Sequence, residues 1–148
     1  MLSGLLHGHG RAEAWAEATE IYAAVQSLGD AQDWTALGEV FTDYFNGDGS
    51  WASTTAERQQ AIASQLPPNR HEWDAGSRLT TAQRFDGITA QTLILRGTQT
   101  RRVTKEIAEV LCHAFPQWKL HDIEGAGHMG PLTHGTIVNA QLQAFLAE

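Results

Sequence analysis

The stretch WKLHDIEGAGHMGPLTH, residues Trp118 to His134, carries a strand signal, a turn signal and one conspicuous histidine. Trp118, Leu120 and Ile123 alternate with Lys119, His121 and Asp122, which predicts a strand with one apolar side. Glycines at 125, 127 and 130 then flank His128 before a helical pattern begins near Ile137. A backbone that turns sharply between strand and helix needs glycine, and glycine also keeps Cβ atoms away from whatever the ring addresses. An imidazole titrating near neutrality at such a junction can accept and return a proton at working pH. The blander alternative is a ring that only fills a turn or helps to cap the last helix.

Working outward, Thr92-Leu93-Ile94-Leu95 is too short for a core helix and reads as a strand buried on both faces, closed by Gly97. Val103, Ile107, Val110 and Leu111 mark an amphipathic helix ending before Pro116. Ile137, Val138, Leu142, Phe145 and Leu146 mark a closing one. The order strand–helix–strand–helix predicts parallel strands joined by right-handed crossovers. Two such strands cannot satisfy their own edges or cover Leu93, Ile94 and Leu95. The missing strands are therefore expected from upstream sequence or from another chain.

The first half shows no strand pattern. Trp15, Ile21, Tyr22, Val25 and Leu28 recur at helical spacing, with Gly29 expected to stop that helix. Asp30 or Asp33 is expected to cap the next, which carries Trp34, Leu37, Val40, Phe41, Tyr44 and Phe45 on one face. Asn46-Gly47-Asp48-Gly49 ends it. Thr54 and Glu57 have capping-box spacing ahead of Ile62 and Leu66, and Pro67-Pro68 terminates that helix. Weaker helical pieces follow at His71–Ala75 and Thr80–Arg84. The chain thus divides into a helical block, residues 1–86, and an α/β segment, residues 87–148.

The totals exclude several classes of function. With 148 residues the chain fits one domain, and 42% apolar against 18% charged residues is a globular composition. A formal charge of −7 with no dense basic cluster argues against a nucleic-acid partner. No window is apolar enough to predict a membrane span, and MLSGLLHGHGRAEA lacks the marks of a signal peptide, so a cytoplasmic location is expected. The single cysteine, Cys112, reads as a packing residue.

Taken together, QTLILRG with its following helix, then WKLHDIEGAGHMGPLTH and the terminal QAFLAE helix, resemble the C-terminal end of the α/β-hydrolase superfamily. There the catalytic histidine follows the final strand, commonly as G-x-G-H, and Gly125-Ala126-Gly127-His128 matches. The helical block is similar to the lid these enzymes insert earlier in the sheet. The resemblance implies a fold of lid plus the β-α-β-α end of a parallel sheet. It implies His128 as general base, with Thr100, Gly127 and Met129 as supporting positions. It further implies a small, fairly apolar ester-type substrate, with Trp51, Phe41 and Tyr44 as candidate pocket residues. No cofactor and no metal are implied.

Two parts of that family's machinery are not found in the sequence. Ser3, Ser27, Ser50, Ser53, Ser64 and Ser77 all lack the G-x-S-x-G elbow of the nucleophile. The acid is commonly carried as G-x-x-D, whereas here Gly97-Thr98-Gln99-Thr100 ends on threonine. Threonine can hydrogen-bond an imidazole but cannot stabilise imidazolium as a carboxylate does. Asp86, Asp122 and Glu124 are the carboxylates available as substitutes, each also readable as a solvated or turn residue. The expectation is that Met1 is internal to a longer frame or begins a truncated one, and that the chain alone is inactive. The alternative is a non-catalytic module that pairs its strand edge with a partner or its own copy. His7-Gly8-His9-Gly10 reads as a solvated linker, since alternate histidines without a third ligand hold metal weakly.

Overall fold

In the computed structural model, which describes residues 2–147, eight helices surround a two-stranded parallel sheet. Met1, on which the expectation about the chain's start rests, lies outside the described residues. The helical block contains α1 (Gly4–Gly8), α2 (Ala12–Asp30), α3 (Trp34–Asn46), α4 (Ala56–Gln65) and α5 (Asn69–Ser77), then a 3-10 turn at Ala82–Phe85. Then come β1 (Leu93–Gly97), α6 (Arg102–Ala114), β2 (Lys119–Ile123), α7 (Gly130–Thr133) and α8 (Gly135–Leu146).

Local chemistry accounts for several element ends. The Asp33 carboxylate accepts the Ala36 N–H at 3.0 Å and so caps α3. Gly47 and Gly49, at φ 103° and 83°, carry the chain away from it. Two expected ends move. Helix α2 runs past the buried Gly29, and Gln32 takes the left-handed turn at φ 56°. There the Asp33 N–H reaches back to Leu28 O, closing the helix end. Gly29 instead makes room for the Arg70 side chain. The cap of α4 is Thr55, whose hydroxyl accepts the Arg58 N–H, while Thr54 donates to Ser50 O.

The principal core straddles residue 86. Leu5, Leu6, Ala14, Ala18 and Ala82 pack with Val103, Ile107, Val110, Leu111, Phe115 and Trp118 of the α/β segment. His7 to Gly10 face solvent as expected, although His7 and Gly8 belong to α1 and the preceding Leu5 and Leu6 are fully buried. Gly4 is required because a Cβ there would collide with the carbonyl of Arg78. A second core joins Ile21, Val25, Leu37, Leu66 and Trp73, with the α3 face from Trp34 to Phe45 against it.

Strands β1 and β2 pair in parallel, Ile94 beside Leu120 and Gly97 beside Ile123. The register places Arg96 and Asp122 on the face toward α6, where they form a two-pronged ion pair at 2.7 and 2.9 Å with Glu109 alongside. Double burial of β1 is not found: all five of its residues are half-buried, because β2 pairs with one edge and no described strand with the other. Helix α8 is held by Val138, with Phe145 half-buried, while Ile137, Leu142 and Leu146 are exposed. No helix among the described residues is long and apolar enough to cross a membrane.

Candidate functional site

The turns that follow the two strands are laced together. Thr98 N–H donates to Ile123 O at 3.1 Å, Gln99 N–H to Ala126 O at 2.9 Å, and Gly125 N–H to the Thr98 hydroxyl at 2.9 Å. Gly97 permits this crossing, since a Cβ there would strike the Ala126 carbonyl. Gly125, at φ 72°, begins the turn, and Ala126 is buried beneath it beside Ile123 and Val138. The glycine-rich loop is thus a fixed platform at the end of the sheet, and it carries His128.

His128 is exposed overall, but one face of its ring stacks on Phe45 of α3, centroids 4.2 Å apart and planes 30° apart. It makes no hydrogen bond to any described residue. The cover over the ring disfavours imidazolium and pushes the pKa below the ordinary 6.5. The imidazole is therefore neutral at pH 7, with a nitrogen lone pair available to accept a proton.

Around it opens a cleft of about 1060 Å³ between the helical block and the sheet end. The block contributes Phe45 to Asp48, Glu17 and Arg58, and the α/β segment contributes Gln99 to Arg102, Gly125, Gly127 to Met129 and Leu132 to His134. On the other side of His128 lies a smaller, largely apolar cavity of about 360 Å³, lined by Phe41, Phe45, Trp73 and Ile107. His128 stands where the two meet.

Of the expected supporting residues, Thr100, Gly127 and Met129 all line the large cleft. Thr100 is buried, 7% exposed, and its hydroxyl has no hydrogen-bond partner, so it does not hold the imidazole. Of the expected pocket residues, Phe41 lines the apolar cavity. Trp51 is buried away from both, its ring lying on Gly38, where a Cβ would not fit. Tyr44 lines neither: its hydroxyl donates to Glu17 at 2.8 Å, and Arg101 lies over its ring. Burial and the Glu17 carboxylate raise the Tyr44 pKa, so the phenol stays protonated.

Among the described residues no carboxylate forms a hydrogen bond or ion pair with His128. Asp122 is engaged with Arg96, which holds its pKa below the usual carboxylate range. Asp86 and Glu124 are exposed and make no hydrogen bond or ion pair with the ring. Among the described residues no group of three or more His, Cys, Asp or Glu side chains could hold a metal ion. Sequence patterning singled out neither Phe45 as the partner of His128 nor Arg101 as the tie between segments. Arg101 donates to the Tyr44 and Asp43 carbonyls, the latter at 2.9 Å. The α3 periodicity that marks Phe45 as apolar could not reveal which distant loop it meets. No family model matches the chain, and no curated protein matches it.

Proposed function

We propose that this chain supplies the lid and the general base of an α/β-hydrolase-type serine hydrolase. The observation that carries this reading is the position of His128. It lies on a glycine loop directly after the last strand, neutral at pH 7, and faces a cleft roofed by the helical block. In the reaction, the imidazole accepts the proton of a serine hydroxyl as that oxygen attacks an ester carbonyl. It then returns the proton to the departing alkoxide. The serine, on its G-x-S-x-G elbow, comes from outside these residues, as do the strands that complete the free edge of β1. The apolar cavity beside His128 suits the acyl group of a small, fairly apolar ester.

The test has two parts. The pure chain should not turn over p-nitrophenyl esters; steady hydrolysis that His128→Ala abolishes would prove the chain self-sufficient and overturn the reliance on an external serine. The DNA upstream of Met1 should contain an in-frame strand–G-x-S-x-G–helix, and protein made from the longer frame should hydrolyse the ester in a His128-dependent manner. A frame without an elbow sinks the reading.

A second reading is favoured by the free strand edge and by the exposed Ile137, Leu142 and Leu146. In it the chain is a non-catalytic module that associates through its sheet. Sedimentation decides: self-association that weakens in Leu142→Lys supports it, and a monomer with cooperative unfolding rules it out.

A further inference from the structure

The cleft beside His128 gathers three of the chain's arginines, although its formal charge is −7. Arg58, Arg101 and Arg102 line it, against Glu17 and Asp48. The guanidinium of Arg101 meets two carbonyl oxygens and the face of Tyr44, so no carboxylate neutralises it. The Arg58 side chain makes no ion pair or hydrogen bond with any described residue. Arg102 is paired with Glu13, and Glu17 is occupied by the Tyr44 hydroxyl.

Helix α6, thirteen residues long, begins at this cleft, and no side chain caps its N-terminus. Its first-turn amides carry the positive end of the helix dipole. That feature alone defines nothing, but a second one coincides with it. Thr100, just before the helix, is more than nine-tenths buried, lines both the cleft and the cavity beneath the His128 loop, and has a hydroxyl without a partner. Buried hydroxyls are ordinarily paired, so an unpaired one at the wall of a cleft marks a place for an acceptor. Donors and the two guanidinium groups without a carboxylate partner, Arg58 and Arg101, therefore meet at this cleft, while apolar rings line the neighbouring cavity.

We propose that the cleft at the start of α6 binds an oxyanion, a carboxylate or phosphate group, through the first-turn amides and the Thr100 hydroxyl. Arg101 and Arg58 supply the charge that draws the group in. On the hydrolase reading, this makes the substrate a two-ended molecule, with an apolar acyl group in the Phe41–Trp73 cavity and an anionic group in the cleft. The anion site itself does not depend on that reading.

The experiment is titration of the full chain with sodium acetate and, separately, inorganic phosphate at constant ionic strength, followed through backbone amide resonances. Saturable shifts at Thr100, Arg102, Val103 and Thr104 are expected, and the tighter arm tells carboxylate from phosphate. Thr100→Val should weaken binding about tenfold, the loss of one charge-assisted hydrogen bond. Arg58→Gln should weaken it more modestly, without disturbing the fold, since that side chain holds nothing in place. Anion binding is read on the chain alone, where no ester is turned over, so failure of the base and failure of the anion site are separate results. Absence of saturation with both anions overturns the proposal. So does binding that neither Thr100→Val nor Arg58→Gln weakens.

Discussion

Phe45 of α3 and His128 of the glycine loop stack ring on ring at 4.2 Å, joining the helical block to the sheet end at the proposed base. In the absence of a carboxylate partner, this contact is what orients the imidazole. It also shields one ring face from water and so contributes to the burial that is the first cause of the lowered pKa. Phe45→Leu should let the His128 midpoint rise toward the ordinary 6.5, read from its ring proton shifts against pH. An unchanged midpoint would assign the shift to other cover.

The same lowered pKa fixes a stability trend. The unfolded chain takes up the His128 proton at higher pH than the folded one, so acidification below about 6.5 draws the equilibrium toward unfolding. That component is absent above 6.5 and complete once pH falls below the folded value. His128→Gln should remove it, leaving a flatter stability profile over that window in urea denaturation at stepped pH. A profile as steep as the parent's would exclude His128 as its source.

Thr100→Val replaces a buried, unpartnered hydroxyl by a methyl of the same shape. The free protein should gain about 1 kcal/mol or slightly more, because an orphaned polar group costs roughly that to bury. A thermal scan showing a lower Tm would mean that the hydroxyl is already satisfied.

Gly97→Ala should cost about 1–3 kcal/mol, the usual penalty for forcing a side chain into occupied space. The displaced atoms are backbone of the histidine loop, so the Gln99 and Gly125 amides should shift in the spectrum along with the fall in Tm. A neutral substitution would contradict the close crossing of the two turns.

Asp122→Asn tests the exposed half of an ion pair. The Arg96 guanidinium lowers the Asp122 pKa, so the contribution is present above the ordinary 3.8 and is lost as pH falls through the folded value. Because the carboxylate is 44% exposed, the loss at neutral pH should be small, about 0.5 kcal/mol after solvent screening. The mutant should lose less stability than the parent on acidification below pH 4, measured in the same denaturation series.

The α/β segment was largely legible in the sequence because its elements have pure periods. Leu93–Leu95 is too short for anything but a strand, and Val103, Ile107, Val110 and Leu111 repeat at helical spacing. Burial of β1 was not legible, since an apolar run records what a strand prefers, not whether a neighbour exists. MLSGLL, interrupted by glycine, has no period at all; the burial of Leu5 and Leu6 comes from tertiary contact with α2 and α6. Gln32 ends α2 in a conformation that glycine usually takes, and the adjacent Gly29 drew the expectation instead. Within the site, the loop and its histidine were visible as local chemistry. The stacking partner, the unpaired Thr100 and the arginines of the cleft arise from segments far apart in the chain, and only folding brings them together.

Helix α8 buries one side chain among its described residues, Val138, with Phe145 half-buried beneath Lys119. A helix that buries so little should open subglobally before the principal core does. Its amides should exchange with deuterium early, and each such excursion uncovers Leu95, Ala126 and Ile123 under the histidine loop. Slowing of that exchange should therefore accompany any tightening of the floor beneath His128.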